Sequence, residues 1–250
     1  TSEGGAGFDS QWDAQFHHRM RDVLVAGRDE DRDMGVLRSQ VERAFNGDPL
    51  GRVVYTESHD EVAASNGKRR LTADITPDDP ASWYAKKRTT LGAAVAFTSP
   101  GIPMICQGQE ILESIPFGDV NRLDWDKYDR FRGIYTLYRD LARLRRNWWN
   151  NTRGLKGPHL HFFHENPAAK VVAYHRWDAG GPGDDVVIVL NVANRGYESY
   201  SRGFPGPGRW YVRFNSDWNG YSPDFGNWYS YDTNAEWGNM HQMPCRGSIG

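Results

Sequence analysis

A change in residue pattern near position 150 constrains the fold of this chain more than any other feature. Up to about Asn150, short apolar runs alternate with stretches of helical periodicity, which is typical of an α/β domain. From about Gly157 the chain consists of short runs rich in Val, Tyr, Phe and Trp, separated by Gly, Pro, Asn and Asp. This second pattern is typical of an antiparallel β-sandwich. We therefore predict two domains, residues 1–156 and residues 157–250.

Three strand–helix units are predicted in the first domain. Residues 7–9 read as a strand end, followed by Asp13 as the N-cap of a helix that buries Phe16, Met20, Val23 and Leu24. The second unit has a buried strand at residues 52–56 and a helix at 82–97, and the third has a strand at 102–106 and a helix at 128–148. In the second domain, strands are expected at residues 159–164, 170–177, 185–191 and 208–215.

Composition excludes several classes of protein. The net charge is −2 and no run of 18 or more apolar residues occurs, so neither a transmembrane protein nor a nucleic-acid partner is expected. Cys106 and Cys245 lack metal-ligand spacing, and no dense Asp cluster calls for calcium, so we expect neither a metal nor a cofactor. The ten Trp and twelve Tyr suit contact with sugars, although a β-domain core uses the same residues.

Polar residues follow each predicted strand. They are Asp9, then His59 and Asp60, then Gln109 and Glu110. In a parallel barrel such residues gather at one mouth, where the chemistry takes place. On spacing alone, a structural histidine and a turn cap would explain His59 and Asp60 equally well.

The segment at residues 54–60, which ends in His59-Asp60, resembles the region near the seventh barrel strand of α-amylase-family glycosidases. Residues 5–18 and 101–110 resemble the sixth and eighth strands of that family, and residues 117–147 resemble the stretch before the last helix of its branching-type members. The resemblance implies the last three units of a (β/α)8 TIM barrel followed by the family's C-terminal β-sandwich. In the same way, residues 243–248 resemble the turn before the final sandwich strand.

The resemblance also implies an activity, namely retaining glycosyl transfer on an α-1,4-glucan of the branching-enzyme type. Asp60 would stabilise the oxocarbenium-like transition state, while His59, Glu110 and Asp9 would bind the substrate. A structural acid that orients the pocket is the alternative role for Glu110. A hydrolase of the α-amylase type and a non-catalytic glucan-binding fragment are the alternative functions.

Two catalytic acids of the family have no counterpart in this chain. Retaining glycosidases need a nucleophilic carboxylate and a general acid about 5 Å apart, and in the family these follow the fourth and fifth strands. Glu57 and Glu61 flank the His-Asp pair, but neither is expected to face Asp60 across a cleft. We therefore expect the chain alone to be inactive and to associate with the N-terminal half of a barrel or with itself. A branching activity would imply a cytoplasmic location.

Overall fold

The computed structural model describes residues 7–228 and 230–249. Within these ranges the first part of the chain has strands β1 (Gln11–Trp12), β2 (Arg52–Val54) and β3 (Ile102–Pro103), with helices α1 (Ala14–Val25), α2 (Met34–Glu42), α3 (Leu71–Ile75), α4 (Trp83–Thr98), α5 (Asp126–Arg130) and α6 (Arg132–Arg145). The second part has strands β4 (His159–Asn166), β5 (Val171–Trp177), β6 (Val186–Asn191), β7 (Tyr200–Phe204), β8 (Gly208–Trp210), β9 (Thr233–Met240) and β10 (Met243–Ile249). None of the helices in these ranges is long and apolar enough to cross a membrane.

Strands β1, β2 and β3 form a parallel sheet in that order. Helices follow each strand, as the alternating pattern predicts. These connections bring the chain back to the same edge of the sheet, so that all three strands begin there. The carboxyl ends of the three strands consequently lie along one edge of the sheet, which brings the loops that follow them together.

Two predicted helix starts are confirmed, and in each a side chain caps the first turn. Asp13 accepts a hydrogen bond from the Phe16 amide over 3.1 Å, and Ser82 accepts one from the Ala85 amide over 3.1 Å. The four apolar residues predicted for the buried face of α1 are buried. The single helix predicted at residues 128–148 is instead two helices, because Phe131 has non-helical backbone angles between α5 and α6.

The second part contains two antiparallel sheets, with strand orders β4-β5-β6 and β7-β10-β9-β8. Phe163 and Ala173 of the first sheet pack against Met243 of the second, which gives the predicted sandwich its core. The predicted strand at residues 208–215 ends at Trp210, and β7, β9 and β10 were not predicted. The interpretation of residues 243–248 as a turn is wrong, because they lie in β10 and pair with both β7 and β9.

Residues from both predicted domains share one hydrophobic cluster. Phe16 and Leu37 from the first helices pack in the same cluster as Phe162, Val172 and Tyr174 of the β-sheet. A second cluster combines residues of α4 and α6 with Tyr221 and Phe225. The two parts of the chain are therefore packed against each other, and the boundary at residues 156 and 157 stays a prediction.

Candidate functional site

The backbone after β2 changes abruptly from buried to exposed. Tyr55, Thr56, Glu57 and Ser58 are at most 4% exposed, and then the side chains of His59 and Asp60 are 54% and 72% exposed. Nε2 of His59 lies 3.2 Å from Oδ1 of Asp60. A carboxylate and an imidazole that face solvent side by side at a strand end can both hydrogen-bond to the hydroxyls of a sugar.

Two aromatic rings that the sequence reasoning did not single out flank His59. The ring centroids of Trp12 and Phe117 lie 6.0 and 5.9 Å from that of His59, both in edge-on geometry. Trp12 ends β1, and a backbone bridge to Ala63 holds Phe117. Trp12 is 44% exposed, so part of the ring remains available to a ligand. Its position at a strand end is the signal that could have identified it.

The loop after β3 contacts the candidate site through Gln109, whereas Glu110 bonds within its own turn. Nε2 of Gln109 donates to the hydroxyl of Thr56 over 2.9 Å. The Glu110 carboxylate accepts a hydrogen bond from the amide of Gly108 over 2.9 Å and is half-buried. This contact fits the alternative role of Glu110 as a structural acid. The role of Glu110 in binding substrate stays a prediction.

The prediction that Asp9 ends a strand is wrong. The strand begins at Gln11, whose amide donates to the carbonyl of Gly51 just before β2, so Asp9 precedes the amino-terminal edge of the sheet. His59 and Asp60 follow the carboxyl-terminal edge. Asp9 was placed too early because Gly7 and Phe8 look like an apolar run, yet the described backbone there is irregular and exposed. Gly5 and Ala6 of the same motif lie outside the described residues.

A buried ion pair supports the loop that carries His59 and Asp60. Glu57 lies 3.2 Å from Nη1 of Arg70, with both side chains at most 3% exposed, and it also accepts a hydrogen bond from the Leu71 amide. Burial raises the pKa of Glu57, although Arg70 opposes the shift. Arg70 also contacts the buried thiol of Cys106, whose pKa is raised by burial. Glu57 is therefore a structural acid, and Cys106 is not activated as a nucleophile.

His17, His18 and Glu61 form a second polar cluster beside the first. His17 is buried, and its Nδ1 lies 2.8 Å from the carbonyl oxygen of Thr56. Burial lowers its pKa to about 4, although Glu61 opposes the shift. Lys68 donates to Glu61 over 2.6 Å and, despite burial, lowers the pKa of that carboxyl group. No metal-ligand spacing in the sequence predicts this cluster, because only the packing of α1 brings the two histidines to Glu61.

The chain is similar to a known domain model and to several curated relatives. Residues 163–247 match the model of the alpha amylase C-terminal all-beta domain. The 1,4-alpha-glucan branching enzyme GlgB of Cupriavidus pinatubonensis is 28% identical over 238 residues, which cover 87% of this chain and 28% of the relative. GlgB 1 of Xanthomonas axonopodis pv. citri is 31% identical over 237 residues, which cover 87% of this chain and 29% of the relative. The chain thus spans under a third of the length of these relatives.

Solved structures show the same fold. The pullulanase of Anoxybacillus sp. LM18-11 in complex with maltotetraose has a TM-score of 0.60 and 19% identity, covering 96% of this chain and 35% of the pullulanase. The pullulanase of Paenibacillus barengoltzii in complex with maltohexaose and alpha-cyclodextrin has a TM-score of 0.61 and 20% identity, covering 82% of this chain and 35% of that one. These likenesses show that the chain shares the fold of the two pullulanases, and residues 163–247 carry the match to the alpha amylase C-terminal all-beta domain.

Proposed function

We propose that this chain is part of a 1,4-α-glucan branching enzyme, in which His59 and Asp60 bind the sugar whose glycosidic bond is broken. The observation that carries the proposal is the exposed pair His59 and Asp60 at the carboxyl end of β2, flanked by Trp12 and Phe117. The names of the curated relatives support branching activity, and the maltooligosaccharides bound to the pullulanases support an α-glucan as the substrate.

In this proposal Asp60 stabilises the transition state without forming a covalent bond. Its carboxylate accepts hydrogen bonds from ring hydroxyls, and these bonds strengthen as the ring distorts and positive charge develops. His59 hydrogen-bonds the same sugar. The contacts of Trp12 and Phe117 with His59 restrict the orientation of its imidazole ring. Glu110 and Asp9 remain proposed substrate contacts, although Asp9 precedes the opposite edge of the sheet.

The nucleophile and the general acid are proposed to come from residues outside this chain. Near Asp60, Glu57 is buried in its ion pair with Arg70, and Glu61 is held by Lys68 and contacts His17. Neither carboxylate faces Asp60 across a cleft as two-sided attack on a glycosidic bond requires. The chain alone is therefore proposed to be inactive.

Strands β1 to β3 are proposed to be the last three strands of a (β/α)8 barrel within residues 1–156, with residues 157–250 as the C-terminal domain. In the described sheet β1 and β3 are edge strands, and exposed edges favour pairing with further strands. The partner is the N-terminal half of the barrel or a second copy of the chain. A glucan-storage role for the whole enzyme would place it in the cytoplasm.

Glucan binding by the purified chain tests the assignment of the site. Calorimetric titration with maltohexaose should give weaker binding for Asp60→Asn and His59→Gln than for the unmodified chain. Asp22→Asn is the matched control, because it removes an exposed carboxylate on α1 that has no proposed contact with the sugar. Equal affinity in the Asp60 and Asp22 variants would overturn the assignment.

Assays of turnover test whether the chain alone is inactive and which type of reaction the whole enzyme catalyses. The chain alone, added to amylose, should produce no sustained change in reducing ends or in iodine staining, and sustained turnover would refute the proposed inactivity. When the polypeptide carrying the two acids is added, iodine staining should fall without a matching rise in reducing ends. A matching rise would indicate hydrolysis of the α-amylase type instead of transfer.

A further inference from the structure

The cluster of His17, His18 and Glu61 has the composition of a transition-metal site. The two histidines are consecutive residues in the first turns of α1, and Glu61 follows Asp60 in the loop after β2. Nε2 of His17 lies 3.5 Å from one carboxylate oxygen of Glu61, and Nε2 of His18 lies 3.7 Å from the other. One ligand atom from each of the three residues lies within 4.8 Å of the other two.

The hydrogen bond to Thr56 fixes the tautomer of His17. A carbonyl oxygen only accepts, so Nδ1 of His17 carries the hydrogen that is donated to Thr56 over 2.8 Å. In the neutral ring, Nε2 therefore presents a lone pair towards the carboxylate of Glu61. His17 is 1% exposed, which disfavours a charged ring. Two acceptors that face each other repel, and a cation between them would convert this repulsion into two bonds.

The distances suit such a cation. Zinc bonds of about 2.0–2.1 Å in tetrahedral geometry place ligand atoms roughly 3.4 Å apart. The 3.5 and 3.7 Å distances to the two different oxygens of Glu61 are close to this value, and one atom from each residue lies within 4.8 Å of the other two. Thr56 orients the ring of His17 in the way that backbone carbonyls orient metal-bound histidines. A cavity of about 340 Å³ adjoins the cluster and leaves room for water at a fourth position.

From this geometry we propose that His17, His18 and Glu61 bind one Zn²⁺ or a similar divalent transition-metal ion. Two imidazoles and one carboxylate favour such ions over Mg²⁺ and Ca²⁺, which prefer oxygen ligands. The site would fasten α1 to the loop that carries His59 and Asp60. It is independent of the proposed glucan activity, because none of its ligands contacts the sugar in that proposal.

Charged residues around the cavity can compete with a metal ion for the carboxylate of Glu61. Lys68 donates to Glu61 over 2.6 Å, and its side chain is 42% exposed. Arg21 is engaged with Asp74 and with the carbonyl of Arg69. Without metal, Lys68 supplies the countercharge for Glu61. When metal binds, the long side chain of Lys68 can turn into solvent, so removal of its charge should strengthen metal binding.

Zinc titration of the untagged, chelator-treated chain tests this site. Calorimetry should show one saturable Zn²⁺ site, weakened at least tenfold in both His17→Gln and Glu61→Gln and strengthened severalfold in Lys68→Gln. His159→Gln is the control, because it removes an exposed histidine at the start of β4. Circular dichroism of each variant before titration identifies any that fails to fold.

Cobalt provides a second readout that reports geometry. Co²⁺ bound to the unmodified chain and to His159→Gln should give the intense visible absorption of a tetrahedral ion, and Glu61→Gln should lose it. Absence of a saturable site would overturn the proposal. So would Zn²⁺ affinity that is the same in the folded His17→Gln and Glu61→Gln variants as in the unmodified chain.

Discussion

Gln109 donates from its amide nitrogen to the hydroxyl of Thr56 over 2.9 Å, and this bond joins the loop after β3 to the segment after β2. The other end of the same amide accepts from the backbone amide of Cys106 over 2.7 Å. All three residues are buried. One side chain therefore satisfies polar groups in the segments that follow two neighbouring strands, one of which leads on to His59 and Asp60.

We expect Gln109→Met to lower the free energy of unfolding by about 1–3 kcal/mol, because it leaves the buried amide of Cys106 and the hydroxyl of Thr56 without this partner. Gln107→Met is the control, because that side chain is exposed two residues away. Urea denaturation of both variants measures the difference. Equal stability of the two variants would show that the amide bridge contributes nothing.

Trp12 is expected to contribute to sugar binding through its exposed face and through its contact with His59. Trp12→Ala should weaken maltohexaose binding about three- to tenfold, in line with the roughly 0.5–1.5 kcal/mol that aromatic contacts add beyond burial. Trp237→Ala removes a tryptophan that is 73% exposed on β9 and should leave the affinity unchanged. A loss of the same size in both variants would contradict a specific role for Trp12.

Arg52 and Asp13 form a buried ion pair at 3.1 Å, with side chains 0% and 1% exposed. Arg52 also donates to the carbonyls of Gln40, Val41 and Pro100, so it joins β2 to α2 and to the turn before β3. Arg52→Met should destabilise the fold by about 3–5 kcal/mol, since it leaves a buried carboxylate without its main partner. The midpoint of urea unfolding measures this loss.

Arg202 provides the opposite case. It is 1% exposed, and among the described residues none of its nitrogens pairs with a carboxylate. Its Nη2 donates to the carbonyl of Tyr200 over 3.1 Å, and burial lowers its pKa to about 10. Arg202→Met should therefore be neutral or raise the free energy of unfolding by about 1–2 kcal/mol. A loss comparable to that of Arg52→Met would indicate an unrecognised partner for Arg202.

Local signals made much of the fold predictable, and tertiary contacts explain the errors. Asp13 and Ser82 cap helices where the sequence placed them, because capping depends on neighbours within one turn. Strand β9 was missed because its sequence, TNAEWGNM, lacks the alternation of apolar and polar residues that marks a half-buried strand. His59 and Asp60 follow β2 as predicted, but the family resemblance, not the spacing, singled them out as site residues. The cluster at Glu61 depends on how α1 packs.

His164 gives the β-sandwich a predictable sensitivity to acid. Burial, together with the nearby His241 and Arg202, lowers its pKa to about 4. The unfolded chain, with a histidine pKa near 6.5, therefore binds a proton at a higher pH than the folded chain does. Stability from this residue is fully present above pH 6.5 and is lost as the pH falls towards 4.

His164→Gln should remove part of this acid sensitivity. Because the side chain is partly exposed, we expect the variant to lose about 1–2 kcal/mol less than the unmodified chain between pH 7 and pH 4.5. Urea denaturation at the two pH values measures the difference, and His159→Gln, at an exposed position, should lose as much as the unmodified chain does. His17, His175 and His241 also have lowered pKa values, so a residual loss should remain in His164→Gln. Parallel losses in all three proteins would show that His164 is not the group that titrates.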